Sequence, residues 1–302
     1  MKVLVCDKME DAAVDALRAA GLDVDVKTGL TPEELIETIP GYHVALVRSA
    51  TKFREAAIDA ATDLKLIVRG GVGLDNIDVK YAESKGISVR NTPAAASVSV
   101  AELAVGYMFS MARRIPQMTA SMKANKWEKK QFKGIELSGK TLGVVGAGRI
   151  GREIMQRSLA LGMNCVFFEI IPNVDVPGAK QVPLDELLKV SNFISLHVPL
   201  TGSTANMIGA EQFAMMPDGS YIIHCGRGGT VDEDAMLDAL NSGKLAGAAL
   251  DVFAEEPTPN AALLAHPNVI ASPHVGAQTA EGQARVGGEV VSIVVEFAKS
   301  NV

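Results

Sequence analysis

Leu142-Gly-Val-Val145 running into Gly146-Ala147-Gly148-Arg149-Ile150-Gly151 is the stretch that decides how this 302-residue chain folds. The spacing G-x-G-x-x-G is a weak signal alone, because the chain holds 28 glycines. Context makes it specific. Apolar strand residues precede it, and the pattern after it predicts a helix over 150–161, closed by Gly162 as a C-cap. In that setting Gly146 permits the tight turn and Gly148 lets backbone approach a pyrophosphate. Gly151 lets helix and strand pack closely, with phosphates at the helix N-terminus. Glu169 ends the next predicted strand, about 20 residues beyond the glycines, where an acid takes the adenine ribose hydroxyls. A carboxylate there repels a 2′-phosphate, and Ile170-Ile171-Pro172 supplies no cation to reverse that. The expected cofactor is NAD rather than NADP.

Outward from that turn, short apolar strands alternate with helices. The expected strands of the second half are Leu142–Val145, Cys165–Phe168, Phe193–Val198, Tyr221–Cys225, Ala246–Asp251 and Val269–Ser272. The first half repeats the pattern, with strands Val3–Cys6, Val24–Val26, Val44–Arg48, Leu66–Arg69 and Ile87–Arg90. Helices are expected over Glu10–Ala20, Pro32–Thr38 and Phe53–Ala61. Such alternation predicts parallel sheets covered on both faces, an α/β chain of two doubly wound domains. Val100, Leu103, Ala104, Tyr107, Met108 and Met111 recur at helical spacing and form one apolar stripe, read as core or subunit interface. Arg113, Arg114 and 123–130 form a basic tract around Trp127, read as a solvated surface. The final stretch, about Gln278–Lys299, reads as a helix with no strand after it, so it is expected to return to the first domain. The expected domains are 1–93 with 278–302, and 94–277 for the dinucleotide.

Composition narrows the function class. Hydrophobic residues make up 48% and charged residues 21%, the balance of a globular protein. No apolar run is long enough to span a bilayer. Met1-Lys-Val-Leu-Val-Cys-Asp7 has neither the apolar region nor the cleavage site of a signal peptide. Cys6, Cys165 and Cys225 form no pair by spacing, which fits a reducing cytoplasm. A net charge of −6 argues against nucleic acid as partner. No HxxH, HExxH or CxxC spacing points to a metal, and no GxSxG elbow to a hydrolase.

Unusual polar residues gather where strands end, the place where open α/β sheets bind ligands. His197-Val-Pro199 ends one strand and Cys225-Gly-Arg227-Gly-Gly229 follows another. Asp251 ends a third and leads to Glu255-Glu256-Pro257, and Pro273-His274 ends a fourth. Arg69-Gly-Gly71-Val72-Gly73 follows a strand of the first half. Oxidising a hydroxyl-bearing carbon by hydride transfer also requires a base for the hydroxyl proton, and histidine titrates near working pH. A carboxylate beside it favours the imidazolium that forms. An arginine fork suits a planar carboxylate. His274, Glu256 and Arg227 supply these three roles. His43 and His266 read as structural, and His197 and His224 as packing or cofactor-lining groups.

These motifs resemble the D-isomer-specific 2-hydroxyacid dehydrogenases, most closely the branch acting on 3-phosphoglycerate. Matching stretches are Val47-Arg-Ser-Ala-Thr-Lys52, Gly73-Leu-Asp-Asn-Ile-Asp78, Arg114-Ile-Pro-Gln117 and Lys126-Trp-Glu128. Further on come Gly146–Arg152, Arg227-Gly-Gly-Thr-Val-Asp-Glu233 and Ser272-Pro-His-Val-Gly-Ala277. The resemblance implies a flavodoxin-like substrate domain and a Rossmann NAD-binding domain, with substrate in the cleft between them and a homodimer through the cofactor domains. It implies Arg227 on the substrate carboxylate and carbonyl, His274 as acid/base and Glu256 as its partner. Asp251 would take the nicotinamide carboxamide. The backbone of Gly71, Val72 and Gly73 would hold the carboxylate as an anion nest, and Arg48 and Arg69 the phosphate. The implied cofactor-lining set comprises Gly146, Gly148, Arg149, Ile150, Gly151, Glu169, His197, Pro199, Cys225, Asp251 and Gly276. Lys129 matches a position that reaches toward a partner subunit.

The implied reaction is NAD-dependent oxidation of 3-phosphoglycerate to 3-phosphohydroxypyruvate, the entry to serine synthesis. Reduction of glyoxylate or hydroxypyruvate, which needs no phosphate site, is the second enzyme reading. An NAD-sensing corepressor is the third. Glu169 stands where relatives usually carry Asp, and His224-Cys-Gly226 where they carry Asn-Cys-Ala. With no C-terminal regulatory domain after Val302, no serine feedback through such a domain is expected.

Overall fold

In the computed structural model, which describes residues 1–300, the chain divides into two compact units: 1–96 with the chain from Ala277 onward, and Ser97–Gly276. The first carries strands β1 (Lys2–Val5), β2 (Asp23–Val26), β3 (Val44–Val47), β4 (Leu66–Arg69) and β5 (Ser88–Asn91). Helices α1 (Asp11–Ala19), α2 (Pro32–Thr38), α3 (Glu55–Ala60) and α4 (Val79–Ser84) connect them. The second carries β6 (Thr141–Val145), β7 (Asn164–Phe168), β8 (Ala179–Gln181), β9 (Phe193–Leu196), β10 (Ser220–His224), β11 (Leu245–Leu250) and β12 (Val269–Ala271). Its helices are α5 (Ser97–Ala112), α6 (Ile115–Lys123), α7 (Arg149–Ala160), α8 (Leu184–Val190), α9 (Ala210–Met215), α10 (Glu233–Asn241) and α11 (Ala261–Ala265). The last helix, α12 (Ala280–Ser300), belongs to the first unit.

Both sheets are parallel throughout. The first has the order β2-β1-β3-β4-β5, the flavodoxin-like winding, and the second β12-β11-β10-β9-β6-β7-β8. In the second, the strand order reverses at β6, which pairs with both β7 and β9. The glycine turn leaves β6 at that switch point, the natural crevice of an open sheet.

Local chemistry explains the helix starts. Thr31 accepts from the Glu34 amide while Glu34 accepts from the Thr31 amide, and Pro32 fills the first helical position. Asp232 caps α10 through the amides of Asp234 and Ala235. Helix α12 buries Gly282, Val286, Val290 and Val294 on one face. Its valines join Val3, Val5, Val44, Leu46, Leu66 and Val68 in one core cluster. Each fully buried valine contributes roughly 1.5–3 kcal/mol relative to exposure.

Three differences from the sequence expectation have plain causes. The second sheet has a seventh strand, β8, whose Ala-Lys-Gln sequence at the sheet edge carries no apolar alternation to announce it. Helix α3 starts at Glu55, because Phe53 is spent on a bridge to Ile77 and is fully buried. Strands β1, β3, β10, β11 and β12 each stop one residue before their expected end, and β9 stops two residues before Val198. Cys6, Arg48, His197, Cys225, Asp251 and Ser272 therefore sit where the backbone is already leaving the sheet.

Candidate active site

The glycine turn is built as the spacing requires. Gly146 has φ 98°, a conformation that favours glycine, and a Cβ there would lie 2.8 Å from the His197 carbonyl oxygen. A Cβ on Gly151 would overlap the Gly146 carbonyl oxygen and press on Val144, so helix α7 can lie on β6 only with glycine at 151. At Gly148 the space beside the backbone is open. That is the profile of a cradle for a pyrophosphate at the start of α7, and the residues present fit a dinucleotide. Arg149 is exposed and Ile150 half-buried at the helix start. Glu169 lies just past β7, its Oε2 accepting from the Ala147 amide (3.0 Å) and its Oε1 from the Ile170 amide (2.9 Å). The acid is thereby held against the glycine turn.

Beyond the C-terminal ends of β10, β11 and β12 lie the candidate reacting groups. Glu256, in a cis peptide with Pro257, accepts at Oε1 from the Phe253 amide (3.1 Å). Its Oε2 lies 2.7 Å from His274 Nδ1. An ionised carboxylate can only accept, so Nδ1 carries the proton and Nε2 is left as the base. The side chains of His274 and Glu256 are 44% and 39% exposed, so the pair is reachable from solvent. His274 is itself in the left-handed region, φ 53°, which is uncommon for a residue with a side chain. Arg227 stands in the loop after β10, half-buried, with Nη1 donating to the Gly226 carbonyl (2.9 Å). Thr230 Oγ1 donates to the Arg227 carbonyl (2.9 Å) and fixes the turn. A Cβ on Gly228 would overlap the Phe253 carbonyl, so the Arg-Gly-Gly loop and the loop leading to Glu256 pack backbone to backbone.

Asp251 is 1% exposed, with Oδ1 accepting from the Val275 amide (2.8 Å) and the Ser272 hydroxyl, and Oδ2 from the Gly276 amide (2.7 Å). Cys225 is buried, and burial with Asp251 nearby pushes its thiol up, so it is an inert group. His197 Nε2 pairs with Ser195 Oγ (2.8 Å), while burial and neighbouring His224 pull its pKa down to about 3. Burial takes His224 down to about 4, and its Nε2 lies 3.3 Å from Thr230 Oγ1. Both rings keep a sealed Nδ1 without a protein partner. Pro199 is exposed after β9. His43 and His266 do structural work, each accepting a backbone amide at Nδ1, from Lys2 and Asn268.

The first unit holds its own cationic strand ends. Arg48 follows β3 and Arg69 ends β4, with Arg69 Nε donating to the Arg48 carbonyl (3.4 Å). Buried Asp7 accepts from the Arg48 amide and from the Thr51 amide and hydroxyl. The Arg48 guanidinium donates to Gln283 Oε1, and burial lowers its pKa against the pull of Asp7 and Glu10. Gly71, φ 153°, has the Arg69 guanidinium where a Cβ would project. Its amide turns back to the Arg69 carbonyl (2.9 Å). The half-buried Val72 and Gly73 follow, with the Val72 carbonyl accepting from Asn91 Nδ2 (2.5 Å).

Residues 105–276 match the family described as D-isomer specific 2-hydroxyacid dehydrogenase, NAD binding domain. The chain belongs to the D-isomer specific 2-hydroxyacid dehydrogenases. It is 49% identical to a D-3-phosphoglycerate dehydrogenase of Methanocaldococcus jannaschii, over 99% of this chain and 57% of that protein. It thus spans little more than half the length of that relative. A hydroxypyruvate reductase of Thermotoga maritima is 51% identical over 87% of each chain. Among solved structures, D-lactate dehydrogenase from Aquifex aeolicus complexed with NAD and lactic acid superposes with a TM-score of 0.87. It is 31% identical and covers 99% of this chain and 96% of that one. NAD is the cofactor of the matched domain.

Two groups beside the candidate site are not announced by the sequence. Tyr107 counted only as part of an apolar stripe, and Ser272 only as part of a motif. Yet a buried tyrosine needs a partner for its hydroxyl, a signal present in the stripe from the start.

Proposed function

We propose that the protein oxidises 3-phosphoglycerate to 3-phosphohydroxypyruvate with NAD, at the entry to serine synthesis. The observation that carries the reading is the 2.7 Å pair of His274 Nδ1 and Glu256 Oε2 beyond the strand ends of an NAD-binding domain. Bound NAD supplies the hydride acceptor. His274 Nε2 takes the hydroxyl proton as the carbinol carbon is oxidised. Glu256 holds the ring in one tautomer and favours the imidazolium that forms. Arg227 offers its fork to the substrate carboxylate and the developing carbonyl. Asp251 takes the nicotinamide carboxamide. His197, Pro199, Cys225 and Gly276 line the cofactor, and Glu169 receives the adenine ribose.

Specificity for a phosphorylated substrate rests on Arg48 and Arg69 at adjacent strand ends, with the backbone after Gly71, at Val72 and Gly73, for the carboxylate, since the Gly71 amide is taken by the Arg69 carbonyl. This assigns 1–93 and 278–302 to the substrate and 94–277 to the cofactor. Phosphohydroxypyruvate and hydroxypyruvate are to be compared as substrates by NADH absorbance. Arg48→Ala and Arg69→Ala should cut kcat/KM for the phosphorylated acid at least tenfold and spare the other; an unchanged ratio refutes the phosphate assignment. Glu169→Ala should narrow the preference for NAD over NADP, read as the ratio of the two kcat/KM values.

Hydroxypyruvate reduction is the second reading, favoured by the relative of that name matching over 87% of both chains. A homodimer through the cofactor domain is supported by Phe109, Ile115, Met122, Trp127 and Ile135, exposed apolar residues within one segment of that unit. Light scattering of the wild type and Trp127→Glu tests it. A cytoplasmic setting is supported by three free, buried cysteines. No helix among the described residues is long and apolar enough to cross a membrane.

A further inference from the structure

His274 sits in a left-handed conformation, so something must hold it there. The two amides that follow it, from Val275 and Gly276, both point at the Asp251 carboxylate (2.8 and 2.7 Å). Gly276 is needed for this approach, because a Cβ there would lie 2.9 Å from Asp251 Oδ2 and 3.3 Å from Val100 of helix α5. On the other side of His274, Ser272 donates its hydroxyl to Asp251 Oδ1. That uses the one hydroxyl proton Ser272 has, so the hydrogen bond between Tyr107 and Ser272 must run from the tyrosine. Tyr107 is 6% exposed on α5, and burial pushes its pKa up to about 12, which keeps it a donor at any working pH. The chain Tyr107 to Ser272 to Asp251 is therefore directed, buried and anchored in a long helix.

We infer that Tyr107 and Ser272 are positioning residues for the His274–Glu256 pair. Acting through Asp251, they lock the turn that aims the imidazole at Glu256. Asp251 receives three donors in this arrangement, which leaves one of its roughly four acceptor positions for a cofactor amide. The clasp and the carboxamide contact are compatible. Each bond in such a chain polarises the next, and loss of one member loosens the rest.

The inference rests on the proposed acid/base role of His274, and the test separates the two. Ser272→Ala and Tyr107→Phe, with Ser272→Thr as rescue and His274→Asn as reference, are compared for kcat, NAD KM and the pH profile of oxidation. The His274 imidazole titration is followed by NMR in the same proteins. Ser272→Ala should lower kcat roughly tenfold, toward the ~10²-fold cost of displacing a reacting group by about 1 Å. NAD KM should change little, and the rising limb of the profile and the imidazole midpoint should both move to lower pH as the pairing with Glu256 weakens. Tyr107→Phe should move them the same way by less, Ser272→Thr should restore them, and the double variant should be no worse than Ser272→Ala. A lower melting temperature with limb and midpoint unchanged would mean a merely structural role and overturns the inference. Turnover that survives in His274→Asn sinks the acid/base reading instead, while the NMR midpoint still judges the clasp.

Discussion

The dinucleotide-binding unit places histidine at strand ends in two contrasting settings. His197 and His224, after β9 and on β10, each have Nδ1 sealed from solvent, and burial holds the rings neutral far below ordinary histidine values. His274, after β12, is 44% exposed and faces a carboxylate at 2.7 Å. The same side chain is packing in one place and, in the proposed reaction, the proton acceptor in the other. Residue type at a strand end does not distinguish them; what does is whether solvent and a counter-charge reach the ring.

The sharpest way to break this contrast is His274→Asn, which should cost 10²- to 10⁴-fold in kcat on the order expected for a lost general base, with NAD affinity retained. Turnover within a few-fold of wild type would remove His274 from the chemistry. Glu256→Gln should have a smaller effect on kcat but should move the rising limb of the oxidation profile to lower pH. The ring loses the charge that favours imidazolium, and each pH unit corresponds to about 1.4 kcal/mol. A limb that stays in place would show that the pair is not what sets the base.

The smallest effect belongs to the buried ring. The folded protein holds His224 at about 4, against ~6.5 for an unfolded chain, so the unfolded state takes up the proton first. The stabilisation is complete above about pH 6.5 and is lost as pH falls toward the folded value. The thermal midpoint should drop over that window by roughly 7–14 °C, at ~1.4 kcal/mol per pH unit and roughly 2–4 °C per kcal/mol. His224→Asn should flatten the slope and leave the activity profile where it was. A slope of unchanged steepness would assign the acid sensitivity to other groups.

Much of this was legible beforehand. The glycine spacing, the acid after the next strand and the period of apolar runs reported local backbone geometry, which neighbouring residues dictate. What stayed hidden is instructive by position. Strand β8 could not be seen because an edge strand of Ala-Lys-Gln gains its structure from pairing with β7 rather than from any pattern of its own. Tyr107 and Ser272 lie 165 positions apart, and only packing of α5 against β10 and β11 brings them together.

By itself, then, the sequence determined the winding of two α/β units, the glycine turn and the residue types available for hydride chemistry. Those depend on spacing, and spacing is local. Tertiary structure alone decided that the Glu256 carboxylate meets Nδ1 of His274, how far burial depresses the other two rings, and how Asp251 is loaded with donors. Those depend on desolvation and on contacts between distant segments, which no local pattern encodes.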